Sequence, residues 1–174
     1  MDPVHLLKDV LEIAYEAKVA DLGCGSMAYF TLEAAKLVGS KGQVYACDIQ
    51  KEVLSSVESK AKQEGLYNIK PIWTNLEIVG ATKIPAGSLD YTFLVNTLFQ
   101  SQKHLEIFQE AYRLTKPGGK LLAVEWKTTG GPIGPEIKIR LAQADIEKMA
   151  AEAGFTKEKS FEAGQYHYGI IFTK

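Results

Sequence analysis

The residues with the clearest chemical potential lie between Lys18 and Ala28, a stretch that reads K-V-A-D-L-G-C-G-S-M-A. A short apolar strand is predicted to run into a turn with two glycines, Gly23 and Gly25, before a helical pattern opens at Tyr29. Glycine lets the backbone approach a ligand closely, and the first N–H groups of a helix have no partner within the helix. The stretch therefore predicts a ligand-binding turn whose backbone N–H groups face the ligand.

Two acids beside this turn bear on which ligand it holds. The glycines and Ala28 fit G-x-G-x-x-A, and Asp48 ends the next predicted strand, an arrangement that binds the ribose of a nicotinamide dinucleotide. Asp21 favours a different ligand, because a pyrophosphate gains nothing from a nearby negative charge, whereas an ammonium or sulfonium group is attracted to it. Asn75 ends the third predicted strand, where its amide is placed to meet an adenine edge.

The elements that position these residues follow from hydrophobic periodicity. Predicted strands cover residues 19–22, 43–49, 69–75, 89–96, 121–126, 156–162 and 166–173. Predicted helices cover residues 1–16, 29–39, 51–64, 103–115 and 143–153. Alternating strands and helices that close with a hairpin predict an α/β fold: a doubly wound, mostly parallel seven-stranded sheet (Rossmann-like) with a C-terminal antiparallel hairpin.

Proline and glycine refine this topology. Pro71 lies inside the third predicted strand and predicts a sheet edge, because proline cannot donate to a strand ladder. The K-P-G-G-K sequence at 116–120 is expected to end the preceding helix and turn the chain. Residues 128–136, rich in glycine and proline, are expected to form a mobile loop. This loop and the helix at 1–16 can cover the strand ends, the helix as a lid or as simple edge packing.

Composition narrows the classes of function. The chain has 174 residues, which fits one domain over 1–174, with 46% hydrophobic and 24% charged residues. Its net charge of −1 argues against a general grip on nucleic-acid backbone, so no nucleic-acid partner is expected. No apolar run approaches the ~18 residues of a membrane span, and no signal-peptide pattern opens the chain, so we expect a cytoplasmic protein without a membrane partner.

The ordered motifs D-L-G-C-G-S, V-Y-A-C-D-I, S-L-D-Y-T-F-L-V-N and L-T-K-P-G-G-K, followed by A-E-A-G-F, carry a family resemblance. From Val19 to Lys174 the chain resembles class I S-adenosylmethionine-dependent methyltransferases, of the type 11 or UbiE-like kind. The resemblance implies that S-adenosylmethionine is the cofactor and S-adenosylhomocysteine the product. The chain departs from the usual D-x-G-x-G-x-G at Met27, whose side chain could narrow the approach to the methionine moiety.

For the methionine part of the cofactor, the resemblance implies four neighbours near the first turn. Gly23, Cys24 and Gly25 would lie beside it, and Asp21 would reach its amino group. Asn96, at the end of the fourth strand, would present its carbonyl to the ammonium. Asp21 could instead cap the glycine turn, and asparagine also suits a strand-end turn.

For the adenosine part, the resemblance implies contacts from the second and third strand ends. Asp48 would accept hydrogen bonds from both ribose hydroxyls, and Ile49 would lie against adenine. Asn75 would replace the usual acid near the adenine amino group, since an amide oxygen can accept that bond, and Leu76 would offer its backbone N–H. Asp48 could instead be an exposed strand end without a ligand.

Catalytic residues are not readable from the sequence. Methyl transfer from a sulfonium mainly needs alignment and exclusion of water, and no cluster of His, Asp or Glu has metal-ligand spacing, so no metal is expected. The candidates for a base are Glu125 and His167, with Tyr166 beside them. Glu125 could instead bond a loop backbone, and His167 could be a structural or surface histidine.

The expected function is methyl transfer to a small-molecule acceptor by a monomer or homodimer. Two other classes of function stay open. One is an NAD-dependent oxidoreductase that uses the same turn. The other is a catalytically silent S-adenosylmethionine-binding module, an alternative raised by Met27 in place of the usual glycine. Cys24 and Cys47 lack metal-ligand spacing. They are expected to be small semi-buried thiols in a reducing compartment, with a redox pair as the alternative.

Overall fold

A computed structural model describes residues 1–129 and 133–174. Within these ranges one sheet has seven strands in the order β3-β2-β1-β4-β5-β7-β6. The strands are β1 (Lys18–Leu22), β2 (Gln43–Asp48), β3 (Ile69–Trp73), β4 (Leu89–Val95), β5 (Thr115–Trp126), β6 (Thr156–Glu162) and β7 (His167–Thr173). The first five are parallel, and β7 runs antiparallel to both β5 and β6. The predicted fold class is confirmed, and Pro71 does lie on an edge strand.

Helices cover both faces of the sheet. They are α1 (Pro3–His5), which continues as a π-helical turn (Leu6–Val10), then α2 (Tyr29–Val38), α3 (Lys51–Gln63), α4 (His104–Leu114) and α5 (Gln143–Glu152). On one face α4 and α5 pack against the sheet around Phe108, Ile146 and Tyr168. On the other, α2 and the N-terminal segment pack around Leu7 and Phe93. The central strands of the sheet are therefore buried between two apolar layers, as parallel strands require.

The N-terminal helix is much shorter than the predicted 1–16, because helical structure ends at Val10. The turn is π-helical, and the N–H of Leu11 donates to the carbonyl oxygen of Leu6, five residues earlier. This wider turn puts Leu6, Leu7 and Leu11 in the core and leaves Val4 44% exposed. A left-handed Glu12 (φ 57°) then ends the regular backbone.

The K-P-G-G-K stretch is part of β5 and not the predicted turn between a helix and a strand. Register against β4 jumps from Leu89 opposite Thr115 to Tyr91 opposite Lys120, so the intervening residues form a bulge. The N–H of Gly118 donates to the carbonyl oxygen of Lys174 (2.7 Å), which keeps the bulge inside the sheet. The sequence could not show this long-range partner.

Strand direction and register place the ends of β1, β2, β4 and β5 at one edge of the sheet. Leu22 lies opposite Cys47, and Val95 lies opposite Val124. Because β7 is antiparallel, its first residue, His167, reaches the same edge opposite Trp126. Of the loop expected at 128–136, residues 130–132 lie outside the described residues.

Candidate functional site

In the glycine turn after β1, the first two backbone N–H groups are hydrogen-bonded to the protein itself. The N–H groups of Gly23 and Cys24 both donate to the carbonyl oxygen of Cys47 (2.8 and 3.1 Å), which ties the ends of β1 and β2 together. The prediction that these two N–H groups face a ligand is therefore wrong. Glycine is still required at Gly23, because its φ is +86° and an added Cβ would lie 2.6 Å from the Thr97 side chain.

Two cavities meet at this turn, and both are lined by Gly23, Gly25 and Ser26. The larger is a cleft of about 410 Å³ at the ends of β2 and β3. The smaller, of about 330 Å³, lies at the ends of β1 and β4. Gly25 has φ +64° and nothing within 4 Å of an added Cβ, so the backbone borders open space there.

The structure divides the predicted site residues between the two cavities. The larger cleft is lined by Asp48, Ile49, Asn75 and Leu76, the four residues expected around adenosine. The smaller cavity is lined by Asp21, Cys24 and Asn96, the residues expected around the methionine part. All nine predicted cofactor residues, counting the two shared glycines, therefore line one or both of these adjoining cavities. Their individual contacts with a cofactor stay predictions.

Asp48 and Asn75 are half-buried and already organised by backbone N–H groups. The carboxylate of Asp48 accepts from the N–H of Gln50 (2.9 Å) and the N–H of Gly25 (3.2 Å). The side-chain oxygen of Asn75 accepts from the N–H of Glu77 (2.9 Å). A carboxylate oxygen and an amide oxygen each have a second lone pair, so both side chains can still accept from a ligand.

Asp21 is the buried carboxylate of the site. It is 2% exposed, and its Oδ2 accepts from the hydroxyl of Thr31 in α2 (2.7 Å). Burial raises the pKa of Asp21 to about 6, with the charge of Asp48 as a smaller cause. Its hydrogen bond goes to α2, whereas Asp48 bonds the glycine turn, so Asp21 does not act as the turn's cap.

Asn96 supplies an unusual acceptor to the smaller cavity. Its backbone is left-handed (φ 54°), and its side-chain oxygen is buried without a hydrogen-bond partner. Its carbonyl oxygen accepts from the side-chain amide of Gln100 (2.8 Å). A buried oxygen without a partner carries a substantial free-energy penalty, which a ligand that donates hydrogen bonds would relieve.

Cys24 and Cys47 are free thiols: Cys24 lines the smaller cavity, and Cys47 is buried near the end of β2. Burial raises the pKa of both thiols far above the ordinary cysteine range, and the charges of Asp21 and Asp48 raise it further. Thiolate is the reactive form of cysteine. The expectation of unreactive thiols therefore fits this environment better than a redox pair does.

Met27 leaves the larger cleft open. Its side chain is 51% exposed, and its sulfur lies 3.7 Å from the ammonium of Lys60 in α3. It lines the smaller cavity but not the larger cleft. The departure from the usual third glycine thus lies at the smaller cavity, which is lined by the residues expected around the methionine part.

The two base candidates face opposite sides of the sheet. Glu125 pairs with Tyr168 and Trp126 pairs with His167, and side chains alternate along each strand. The carboxylate of Glu125 accepts from the N–H of Leu98 (2.7 Å), and Glu125 and His167 line neither cavity. They cannot act as a pair on one substrate.

His167 is a buried histidine against an aromatic ring. Its ring centroid lies 4.0 Å from that of Trp126, and its Nε2 has no hydrogen-bond partner. Burial lowers the pKa of His167 to about 4, and the positive charges of the N-terminus, Arg140 and Lys127 lower it further. The imidazole is therefore neutral at neutral pH, as the structural alternative expects. Tyr166 is half-buried, and its carbonyl oxygen accepts from the N–H of Lys127 (2.9 Å).

Arg140 is a buried cation that the sequence did not single out. It is 8% exposed, and its guanidinium donates to three backbone carbonyl oxygens within 3.0 Å, those of Lys127, Ile133 and Pro135. It thereby links the start of the segment between β5 and α5, at Lys127, to the later part of that segment, at Ile133 and Pro135. An isolated arginine ahead of a helix gives no sequence signal for such a role.

The unpartnered polar atoms gather at the same edge. In the described residues, three buried side-chain atoms lack a hydrogen-bond partner: Asn96 Oδ1, Glu125 Oε2 and His167 Nε2. Asn96 directly follows β4, Glu125 lies one residue before the end of β5, and His167 begins β7; these three strands are adjacent in the sheet. Over residues 1–129 and 133–174, no three His, Cys, Asp or Glu side chains are grouped to hold a metal ion. No helix in those ranges is long and apolar enough to cross a bilayer.

Comparisons with known proteins agree with this geometry. A model of the ubiE/COQ5 methyltransferase family matches residues 6–133. Demethylmenaquinone methyltransferase from Geobacillus sp. (strain WCH70) is 33% identical over 108 residues, which cover 62% of this chain and 44% of that protein. The corresponding protein of Bacillus pumilus is 30% identical over 118 residues, 67% of this chain and 48% of that one. The chain thus spans about half the length of these curated relatives.

Solved structures extend the likeness to the whole chain. A SAM-dependent methyltransferase from Aquifex aeolicus superposes with a TM-score of 0.89 at 26% identity, covering 98% of this chain and 88% of that one. A putative type 11 methyltransferase from Sulfolobus solfataricus has a TM-score of 0.74 at 21% identity, over 91% of this chain and 84% of that one. The second likeness supports the fold alone.

Proposed function

Because this chain belongs to the ubiE/COQ5 methyltransferase family, we propose that it transfers a methyl group from S-adenosylmethionine to a small-molecule acceptor. The observation that carries this proposal is the pair of cavities that meet at the glycine turn, with Asp48 in the larger and Asp21 in the smaller. A long cationic nucleoside needs such a two-part site: a ribose acceptor at one end and a negative charge at the other.

The larger cleft holds the adenosine part. Asp48 accepts from the ribose hydroxyls with the lone pairs that Gly25 and Gln50 leave free. Ile49 is 54% exposed and offers an apolar surface to adenine, and Asn75 bonds the adenine edge. Backbone N–H groups already fix the side chains of Asp48 and Asn75, so these two lose little conformational freedom on binding.

The smaller cavity holds the methionine part. Ionised Asp21 attracts the ammonium, and the side-chain oxygen of Asn96 gains the partner that it lacks. When bound, S-adenosylmethionine supplies an electrophilic methyl group on a sulfonium, and S-adenosylhomocysteine remains after transfer. The chain's own contribution is to align the acceptor and exclude water.

The acceptor that we propose is a reduced quinone of the menaquinone type. The support is that relatives carry the name demethylmenaquinone methyltransferase, and that Phe30, Tyr29 and Met27 give the smaller cavity an apolar side. A ring bearing two hydroxyl groups is electron-rich at carbon, so it needs positioning more than it needs a strong base. This agrees with the absence of Glu125 and His167 from both cavity linings.

We propose that residues 1–174 act as one cofactor-binding domain, as a monomer or homodimer, in the cytoplasm and without a nucleic-acid partner. The alternative hypothesis of an NAD-dependent oxidoreductase loses its support. The residues that fit G-x-G-x-x-A adjoin the buried Asp21, and its negative charge disfavours a pyrophosphate. A silent binding module stays as the second candidate, since neither base candidate, Glu125 nor His167, lines either cavity. Turnover with a reduced naphthoquinone acceptor separates the two.

Calorimetric titration with S-adenosylhomocysteine tests the proposal. We expect the native protein to bind it and Asp48→Ala to lose about 1–3 kcal/mol of binding free energy, the scale of a lost hydrogen bond to a charged group. Asp48→Asn is the matched control, because its amide oxygen preserves one acceptor and should lose less. Binding of a nicotinamide dinucleotide without S-adenosylhomocysteine, or equal binding by native protein and Asp48→Ala, contradicts the proposal.

A further inference from the structure

One short segment, residues 96–101, contributes to both cavities. Thr97, Gln100 and Ser101 line the larger cleft, and Asn96 lines the smaller cavity. The segment starts with the left-handed Asn96 and contains a single 3-10 turn, Leu98–Gln100. One such turn has few internal hydrogen bonds and does not fix its own position. Its placement therefore depends on bonds to its neighbours.

Side chains tie this segment to three strand ends. The hydroxyl of Thr97 donates to the carbonyl oxygen of Leu22 at the end of β1 (3.1 Å). The hydroxyl of Ser101 donates to the carboxylate of Glu77, after β3 (2.6 Å). On the opposite side, the N–H of Leu98 donates to Oε1 of Glu125 in β5 (2.7 Å). The segment thus bridges the two halves of the sheet, and Glu125 is its anchor in β5.

Burial of the Glu125 carboxyl group costs free energy. It is 1% exposed, and its second oxygen has no partner, so the carboxylate is largely desolvated. Burial raises the pKa of Glu125 to about 7, although the N–H groups of Leu98 and its neighbours oppose the rise. An apolar residue would occupy such a site at lower cost. The hydrogen bond to Leu98 is what the carboxyl group adds that an apolar residue could not.

We propose that Glu125 is a positioning residue for the cofactor: it fixes Leu98, and through Leu98 it holds residues 96–101 against both cavities. The inference rests on the proposed function, because it takes S-adenosylmethionine as the ligand of those cavities. Glu125 lines neither cavity, so this role replaces the catalytic-base role considered from the sequence.

The test is titration with S-adenosylhomocysteine of the native protein, Glu125→Ala and Glu125→Gln. We expect Glu125→Ala to weaken binding about tenfold, the scale of one hydrogen bond to a charged group. Glu125→Gln should stay within about threefold of native, because its amide oxygen accepts from Leu98 in the same place. Tyr168→Phe is the control: it removes a hydroxyl on the same sheet face, bonded to the carbonyl oxygen of Leu141 (2.8 Å), and should leave affinity unchanged.

Two results overturn the inference. One is native-like binding by Glu125→Ala with only a lower melting temperature, which makes the residue purely structural. The other is normal binding by Glu125→Gln with loss of methyl transfer, which makes it the base.

If Glu125→Ala does not fold, Glu125→Asp carries the test, since its carboxyl is one methylene too short to reach Leu98. We expect about tenfold weaker binding and faster amide exchange over residues 96–101. Unchanged affinity and exchange contradict the inference. If the native protein binds no S-adenosylhomocysteine, the proposed function fails, whereas amide exchange in Glu125→Asp still decides whether Glu125 holds the segment.

Discussion

The edge of the sheet that borders the two cavities has two halves, and polar side chains have different environments in each. At the ends of β2 and β3, Asp48 and Asn75 are half-buried and bonded to backbone N–H groups. At the ends of β5 and β7, Glu125 and His167 are buried, and each has an atom without a partner. The first half is organised to accept a ligand directly. The second is organised to hold its neighbours in place, and Asp21 and Asn96 stand between the two.

The pH dependence of stability should have opposite signs at His167 and at Asp21, and His167 gives the largest expected effect. Its folded pKa of about 4 lies below the ordinary 6.5, so its contribution to stability is present above pH 6.5 and is lost as pH falls towards 4. Between pH 7 and pH 4, the free energy of unfolding should fall in both proteins. We expect the fall to be up to about 3 kcal/mol smaller in His167→Gln than in the native protein. Urea denaturation at several pH values measures this. If the free energy of unfolding falls equally with pH in both proteins, the side chain of His167 is exposed to water and the prediction is contradicted.

Asp21 should show the reverse dependence, with a slightly smaller magnitude. Its folded pKa of about 6 lies above 3.8, so the cost of ionising it is absent below about pH 4 and complete above pH 6. Asp21→Asn should therefore be more stable than native by up to about 3 kcal/mol at pH 8, and equal to it near pH 4.

The same variant should bind S-adenosylhomocysteine about tenfold more weakly at pH 8, because the ammonium loses its carboxylate. Thr31→Val is the matched control, since it removes the partner of Asp21 and leaves the charge. A less stable Asp21→Asn, or one that binds as tightly as native, would mean that Asp21 serves folding and not the ligand.

The smallest effect is expected at Met27, on the border between the halves. Met27→Gly restores the usual third glycine, yet the native side chain lies beside Lys60 and outside the larger cleft. We expect the dissociation constant of S-adenosylhomocysteine to change less than about threefold, below 1 kcal/mol. A gain of tenfold or more in calorimetry would show that the thioether obstructs the methionine end.

The contrast also explains what the sequence could predict. Gly23, Asp48, Asn75 and Asn96 each lie at or within two residues of a strand end, so strand periodicity and turn chemistry located them and parallel pairing brought them together. The order of strands and helices was predictable for the same local reasons.

Features that depend on distant partners were not predictable. Arg140 is defined by three carbonyl oxygens that the folded path of its own segment, between β5 and α5, brings to it, and Glu125 by the N–H of Leu98 in another segment. The bulge in β5 needs Lys174, and the N-terminal π-helical turn needs the apolar face beneath Leu6 and Leu11. In the glycine turn, the expected free N–H groups were taken by the carbonyl oxygen of Cys47, which only strand pairing reveals.

A crystal structure with S-adenosylhomocysteine tests the central claim most directly. The account predicts adenosine in the larger cleft, with ribose hydroxyls on Asp48, and the ammonium in the smaller cavity within hydrogen-bond distance of Asp21 or Asn96 Oδ1. Density for the nucleoside elsewhere, or with its ammonium in solvent and Asn96 Oδ1 still unpartnered, would contradict it.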